Sequence, residues 1–498
     1  MILIRRIVFS FISMWCIGTG SDAFAIEINL IGSSSPGSIN CPSDYQKKQI
    51  SSHSPVIGDG NEVPDEGEVN SALKSVGIAN FRSKLDNITP LIKDSRSMRI
   101  GLWGDSHAAA NFFSDALVLA LGGNEKRIFP GFISPSIGNA GVRLPFRRSC
   151  KGDGWRAEHA YRNRVSGATW SRALTRIVSD KKDDYIWIDF RSSLLENSFN
   201  SLDIQLSRSV AGSISSQSNG EISLSNVAEV NTILRLSVND DADQFIEFNS
   251  ATEKLLTINS EYPISTLKIT LVSGGIGIDG FIPNYNTPPE VLFDTMGVPG
   301  ATAKGLQFLE PDPHARDSVR PYDLALIEFG TNEGNNSRFD VDSYSHDLRK
   351  SLTVFRQSYP SSTCILIGPT DRGVRVPISK NKKKKVCKGK GKMRKCRAAT
   401  PVYVDLLRFS RIHSAISKAQ AEVGKDFQCD AWSWQEAMGG QGGIYRWFYQ
   451  KPSLAQRDLI HLTVAGYRYS ANLFLEKLLG NPLFAPSDQN ISVTSGRP

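Results

Sequence analysis

Four short stretches of the chain carry the residue types that acyl transfer requires. "GDSH" places Asp105 and Ser106 directly after an apolar run that ends at Trp103. "DTMGVPGATAKGL" supplies Gly297 and Gly300 in what reads as a loop, and "LIEFGTNEGNN" ends an apolar run in Gly330, Thr331 and Asn332. "QRDLIHLTVAGY" sets Asp458 three residues before His461. Ester cleavage needs a nucleophile, a base to take its proton, a group that orients the base, and donors for the developing oxyanion. Ser106 can be the nucleophile, His461 the base and Asp458 its orienting partner. The backbone N–H groups of Ser106 and Gly300 and the side-chain amide of Asn332 can surround the oxyanion. Each residue also has a plain structural use: Asp105 or Ser106 as an N-cap, Gly300 in a turn, Asn332 in a cap or Asx turn, His461 near a helix start. Their order favours the chemistry. Each follows an expected strand or precedes an expected helix on what should be one edge of a parallel sheet, where open α/β folds bind their ligands.

The elements that would hold them alternate. "SMRIGLWGDS" reads as a strand feeding a turn, and "AAANFFSDALVLAL" as the helix after it. Further on come a strand at "DLALIEFG", a helix at "DVDSYSHDLRKSLTVFRQSY" and a strand at "STCILIGPT". They are followed by a helix at "YVDLLRFSRIHSAISKAQAEVG", a strand at "KDFQCDAW" and a last helix at "TVAGYRYSANLFLEKLL". Strands separated by helices of this length imply right-handed crossovers and a parallel sheet. The rhythm breaks over residues 151–287. There, short alternating segments such as "DYIWIDFRS", "GEISLS", "TILRLSVN" and "TLKITLVSGGIGIDGF" are punctuated by Ser, Asn, Asp and Gly. That is the pattern of an all-β sandwich or jelly roll inserted into an α/β domain, whose two parts would span 71–150 and 288–480. A helix is expected at "EVNSALKSVGIANFRSKLDNI", a loose Ser/Gly/Pro-rich arm over 26–70 and a frayed tail over 481–498.

Residues 1–25 have Arg5 and Arg6, an apolar stretch and an Ala23-Phe24-Ala25 cleavage signature, which together read as a secretory leader cut after Ala25. Export to a periplasm or beyond gives the six remaining cysteines meaning as disulfides. Cys387 and Cys396 bracket a short basic loop and are expected to pair. Cys364 and Cys429 sit in or beside neighbouring strands, which leaves Cys41 with Cys150. No Cys/His spacing suggests a metal site. The net charge of +8 belongs to one segment: residues 380–397, with Lys380 and Arg397 at its ends, hold eleven Lys and Arg and no acid. Without the leader and that segment the chain would carry −4. A broad nucleic-acid face is therefore not indicated. A basic loop of this kind can touch anionic envelope polymers or lipid head groups, or be a solvated insertion without a partner.

The four blocks resemble those of the SGNH hydrolases, also called GDSL-like esterases and lipases. Gly104-Asp105-Ser106 matches their first block, Gly300 the second, Gly330-Thr331-Asn332 the G-x-N of the third, and Asp458 with His461 the D-x-x-H of the fifth. Glu333 departs from the Asp that usually follows the asparagine, at a position outside the four signature residues. A narrower resemblance, carried by "GDSHAAANFF", "GVPGAT", "FGTNEG", "WSWQEAMGGQGGIYRW" and "RDLIHLTVAGY", is to peptidoglycan O-acetylesterases of Gram-negative periplasms. It covers residues 98–150 and 293–479 and the place of the β insert, but neither the N-terminal arm nor the Lys-rich loop. The resemblance implies an SGNH-type αβα sandwich with a carbohydrate-binding-module-like insert and no metal or organic cofactor. The implied substrate is an acetylated polysaccharide, with acetyl removed from the 6-hydroxyl of N-acetylmuramic acid. A polysaccharide O-acetyltransferase would share the same catalytic residues, and a non-catalytic glycan-binding protein would share the fold. Trp432, Trp434 and Trp447 flank a Gly-rich loop just before the Asp-His pair, where they could stack on a sugar or lie in the core.

Overall fold

The computed structural model describes residues 24–30, 37, 39, 41, 97–121, 128–162, 168–192, 195, 198–207, 231–249, 252–311, 320–376 and 404–480, and the backbone of 385–388 and 395–398. Most of the leader, the helix expected over 68–88, the strand expected over 220–225, the tail 481–498 and the remainder of 380–397 lie outside the described residues.

Along the chain, β1 (Phe24–Leu30) is followed by β2 (Met98–Gly104), α1 (Ser106–Ala109), α2 (Phe112–Ala120) and β3 (Ile128–Phe129). The β-rich region supplies β4 (Arg148–Lys151), β5 (Arg156–His159), β6 (Thr175–Ser179), β7 (Tyr185–Asp189) and β8 (Phe199–Ser207). It continues through β9 (Asn231–Val238), β10 (Gln244–Asn249), β11 (Glu253–Ser260), β12 (Thr266–Ser273) and β13 (Ile276–Tyr285). The chain then returns through β14 (Val291–Gly297), β15 (Leu324–Glu328), α3 (Val341–Ser358), β16 (Thr363–Ile367), β17 (Lys385–Lys388) and β18 (Lys395–Ala398). It ends with α4 (Arg408–Asp426), β19 (Cys429–Trp432), α5 (Trp434–Ala437), α6 (Gly443–Tyr449) and α7 (Val464–Leu479).

Among the described residues, six strands form one sheet in the order β19-β16-β15-β2-β14-β3, and every neighbouring pair is parallel. All residues of β2 and β15 are buried, as their unbroken apolar runs require when both faces are covered. On one face Met98, Ile100 and Leu102 of β2 join Phe113 of α2 and Phe474 of α7. On the other, Trp103 joins Leu352 and Phe355 of α3 and Ile416 and Val423 of α4. Asp294 pins the register from beneath. Its carboxylate accepts from Arg99 Nη2 (2.8 Å), Tyr322 Oη (2.7 Å) and the N–H groups of Gly131 and Phe132 (2.7 and 2.8 Å). A buried ion pair so fully bonded specifies an arrangement more than it stabilises one.

Two expectations about this layer change. The helix expected from Ala108 is broken at Asn111, whose left-handed backbone (φ +59°) separates α1 from α2. The segment around Gly297 is not all loop: β14 runs through it and lies between β2 and β3.

The β-rich region makes two sheets, β1-β11-β8-β13-β6-β5 and β10-β9-β12-β7-β4. Ile177, Leu202, Ile204 and Phe281 of the first share a core with Ile186, Leu234, Leu236 and Ile269 of the second. The sandwich begins at Arg148 rather than at 151. Its outer edge is closed by β1, which pairs parallel with β11, so residues 26–30 are not the loose arm that their composition suggested. Trp103 Nε1 of β2 donates to Arg172 O in the β5–β6 connection (2.8 Å), and Trp170, Ala173 and Leu174 enter the second core of the α/β layer. Disulfides join Cys41 to Cys150 and Cys364 to Cys429, the latter across neighbouring β16 and β19. Cys387 and Cys396 stand opposite each other in the backbone register of β17 and β18.

The three tryptophans are corrected from sugar platforms to core. The Gly-rich loop is present between α5 and α6, but β19 and these two helices turn the indoles inward, leaving Trp432, Trp434 and Trp447 only 7%, 0% and 6% exposed. Trp434 packs on Phe113 and donates through Nε1 to Ser470 Oγ (2.8 Å). Replacing Trp434 by Ala should therefore cost about 3–5 kcal/mol of stability, read as a lower denaturant midpoint. Lost glycan affinity at unchanged stability would contradict this placement.

Candidate active site

β2 ends at Gly104 because nothing larger fits: a Cβ there would lie 2.5 Å from Glu328 Oε2 and 2.7 Å from Ala108 Cβ. Asp105 then caps α1, its Oδ1 accepting from His107 N (2.9 Å). With the cap supplied by Asp105, the hydroxyl of Ser106 is left free. It lies 3.0 Å from His461 Nε2, and His461 Nδ1 lies 2.6 Å from Asp458 Oδ2. The carboxylate accepts from Nδ1–H, which makes Nε2 the acceptor of the serine O–H, a tautomer assigned from its partners.

The turn that joins Asp458 to His461 is held tightly. Asp458 Oδ1 accepts from the N–H groups of Ile460 (2.9 Å) and His461 (3.0 Å). Leu459 between them takes a left-handed backbone (φ +58°), which is costly for a branched residue and persists only where surroundings enforce it. Gly373 N–H donates to Leu459 O (2.9 Å) and supplies part of that enforcement.

The oxyanion candidates gather around the same point. Val298 N–H donates to Gly104 O (3.0 Å), laying the loop after β14 along the Ser106 turn, and Gly300 adopts φ +80°. Among the described residues, neither Ser106 N–H nor Gly300 N–H has a hydrogen-bond partner. Asn332 follows β15 and donates from Nδ2 to Ala301 O (2.8 Å) and to Asp105 Oδ2 (3.2 Å). Both amide hydrogens are thus engaged, and an incoming oxyanion has to take over one of them. The structure brings Ser106, His461 and Asp458 into one hydrogen-bonded line, sets Gly300 and Asn332 on loops tied to it, and leaves the three tryptophans in the core.

Several neighbours carry no sequence signal. Tyr161, from the β insert, donates to Pro299 O (3.3 Å), and its hydroxyl would stand 3.4 Å from a Cβ added at Gly300. Only the fold reveals that contact. His107 is buried against the site, its Nδ1 2.9 Å from Tyr467 Oη and its ring centroid 5.2 Å from that of His461. Glu328 accepts from Asp105 N–H (3.1 Å), and Glu333 from Ala303 N–H (2.8 Å).

Charge follows from this burial. Desolvation acts to lower the His461 pKa, but the hydrogen bond and charge of Asp458, helped by Asp105, outweigh it and raise it above 6.5. Burial likewise acts to raise Asp458, yet bonds from His461 and Ile460 bring it down to about 2. Burial dominates behind the candidate oxyanion donors, pushing Asp105 up to about 6, Glu333 to about 7 and Glu328 well above the carboxylate range. Three full negative charges there would oppose an oxyanion; their raised pKa values reduce that opposition. Among the described residues no group of three or more His, Cys, Asp or Glu could hold a metal ion, and no helix is long and apolar enough to cross a membrane.

No protein-family model matches the chain, and no curated protein does. Solved structures do. A structure described as a peptidoglycan O-acetylesterase in action is 19% identical, with a TM-score of 0.51, over 82% of this chain and 99% of that one. At that identity the likeness is one of fold. A carbohydrate esterase family 2 enzyme with a carbohydrate-binding domain, from Corynascus thermopiles (Myceliophthora fergusii), is 10% identical over 66% of this chain and 98% of that one, with a TM-score of 0.24. A GDSL-like lipase from Parabacteroides merdae is 14% identical over 38% and 74%, at 0.26.

The geometry makes a direct prediction for titration. The imidazole of His461 should titrate with a midpoint above 6.5 by NMR, and Asp458→Asn should move it down, because the raising hydrogen bond and charge are lost. An unchanged midpoint would mean that the two side chains are not coupled in solution.

Proposed function

We propose that this chain is a serine O-acetylesterase that removes acetyl groups from an envelope glycan, the N-acetylmuramic acid of peptidoglycan first among candidates. The observation that carries the reading is the continuous Ser106–His461–Asp458 line, at 3.0 and 2.6 Å, on the C-terminal edge of a parallel sheet. In this mechanism Ser106 Oγ attacks the acetyl carbonyl carbon while its proton passes to His461 Nε2. Asp458 keeps the ring oriented and stabilises the imidazolium. The oxyanion meets the N–H groups of Ser106 and Gly300, and Asn332 turns an amide hydrogen to it from Asp105, the longer of its two bonds. Collapse breaks the ester C–O bond, and the sugar oxygen takes the proton from His461. Water then repeats the sequence against the acetyl-enzyme and frees acetate.

Glycan as the substrate class is supported by the shared fold with the peptidoglycan O-acetylesterase structure and by a sandwich that reaches the site through Tyr161. The leader signature and two disulfides suit an oxidising compartment outside the cytoplasm, periplasmic or secreted. The basic residues 380–397 would add contact with anionic envelope polymer or lipid.

Acetate release from O-acetylated peptidoglycan should vanish in Ser106→Ala and fall about 10²–10³-fold in kcat in Asn332→Ala. Because the base must be neutral, wild-type activity should rise with pH through the raised His461 pKa. Ser106-independent release would overturn the mechanism. Ser106-dependent cleavage of an aryl acetate without any from the glycan would keep the mechanism and discard the polymer.

A further inference from the structure

Beside the His461–Asp458 pair stands a cation that the acyl-transfer scheme leaves unused. Arg372 lies on the segment leaving β16, next to Gly373, whose N–H holds the Asp458–His461 turn through Leu459 O at 2.9 Å. Arg372 Nη2 donates to Asn335 Oδ1 (2.9 Å), three residues beyond Asn332. Its guanidinium carbon sits 4.4 Å from the ring centroid of Phe409, and the guanidinium carbon of Arg408 sits at the same distance from that ring. One planar cation is thus fixed from two sides, between the Asn332 loop and the turn that carries the base.

It is fixed yet incompletely satisfied. Arg372 Nε is buried without a partner, and Nη1 donates to nothing among the described residues. No Asp or Glu oxygen among the described residues lies within 4.0 Å of Arg372 or Arg408; the nearby Asp405 is engaged by Arg411. Burial pulls the Arg372 pKa down, and the charge of Asp458, which lies beyond 4.0 Å and is itself bonded to His461, offsets only part of that. A guanidinium presents parallel N–H pairs whose geometry matches a carboxylate or phosphate, and stacking on an aromatic ring pre-orients it.

We propose that Arg372, with Arg408 on the same Phe409 ring, is an anion subsite that receives a carboxylate or phosphodiester carried by the acetylated polymer next to the ester being cleaved. The inference rests on the serine esterase reading and sharpens it: the substrate is an acidic glycan, recognised by its charge and not only by its acetyl group.

Binding tests this without requiring turnover. The full chain carrying Ser106→Ala is titrated in a calorimeter with an oligosaccharide of N-acetylglucosamine and N-acetylmuramic acid, with the same oligosaccharide amidated at its carboxyl group, and with a glycerol-phosphate oligomer. The acid should bind about ten-fold or more tighter than the amide, the scale of a charge-assisted bond. Arg372→Gln should erase that difference, and Arg372→Lys should restore part of it, since charge returns without the fork. A preference for the phosphate oligomer that also disappears in Arg372→Gln would assign the subsite to a phosphodiester. Equal affinity for acid, amide and phosphate in the Ser106→Ala parent, or an acid preference that survives Arg372→Gln, would overturn the proposal. Aryl acetate hydrolysis by the wild type is read in parallel: its absence would count against the esterase reading, whereas the charge preference is judged by binding alone.

Discussion

A hydrogen bond of 3.0 Å has to be held between two residues 355 positions apart in the chain, Ser106 and His461. Neither side chain can hold it alone. β2 is clamped between β14 and β15 in fixed parallel register, so the turn bearing Ser106 has one place to be. His461 is placed from the other end of the chain by a turn wound around the Asp458 carboxylate and tied to the exit of β16. The sheet therefore does the long-range work, and loops of a few residues do the fine placement. This division suits a parallel architecture, in which consecutive strands deliver their C-terminal ends to one edge.

Ionisation follows from the same closeness. Gly104 lets β2 approach Glu328 to a distance that no Cβ would allow, and the N–H of Asp105 donates to the same carboxyl group. Acids packed this closely repel one another unless burial keeps part of them protonated, which is the direction in which Asp105, Glu328 and Glu333 are all pushed. Asp458 goes the opposite way, because it alone meets an imidazole and two backbone N–H groups. Two kinds of carboxyl group thus sit close together with opposite states, set by their donors.

What the sequence made legible was whatever repeats or is chemically singular. Long amphipathic segments such as α3, α4 and α7 have their periodicity written into them, and an Asp three residues before a His is rare enough to notice. Composition misled where local signals were ambiguous. The clustered glycines do form a loop that ends in Gly442, the left-handed cap of α6, but the tryptophans around it fill the core instead of facing a sugar. Asn111 breaks a helix whose apolar spacing runs straight through it. β14 escaped notice because its start follows the β-rich region without a break in pattern. Tyr161 and Arg372 could not be found from sequence at all, since their importance lies in contacts made across more than a hundred residues or between separate loops.

Trp103 ties the β insert into the α/β layer. Its indole lies wholly inside the α/β layer, yet its N–H donates to a carbonyl that belongs to the β insert, and Trp170 and Leu174 of that insert fill the same core. An insertion attached only through its two ends could be lost in a single deletion and leave a working domain behind. Here, excising it would orphan a buried donor and open the core beside β2, the strand that leads into Ser106. The sandwich is thus part of the foundation of the α/β layer, and its outer surface can change more freely than its contacts with Trp103.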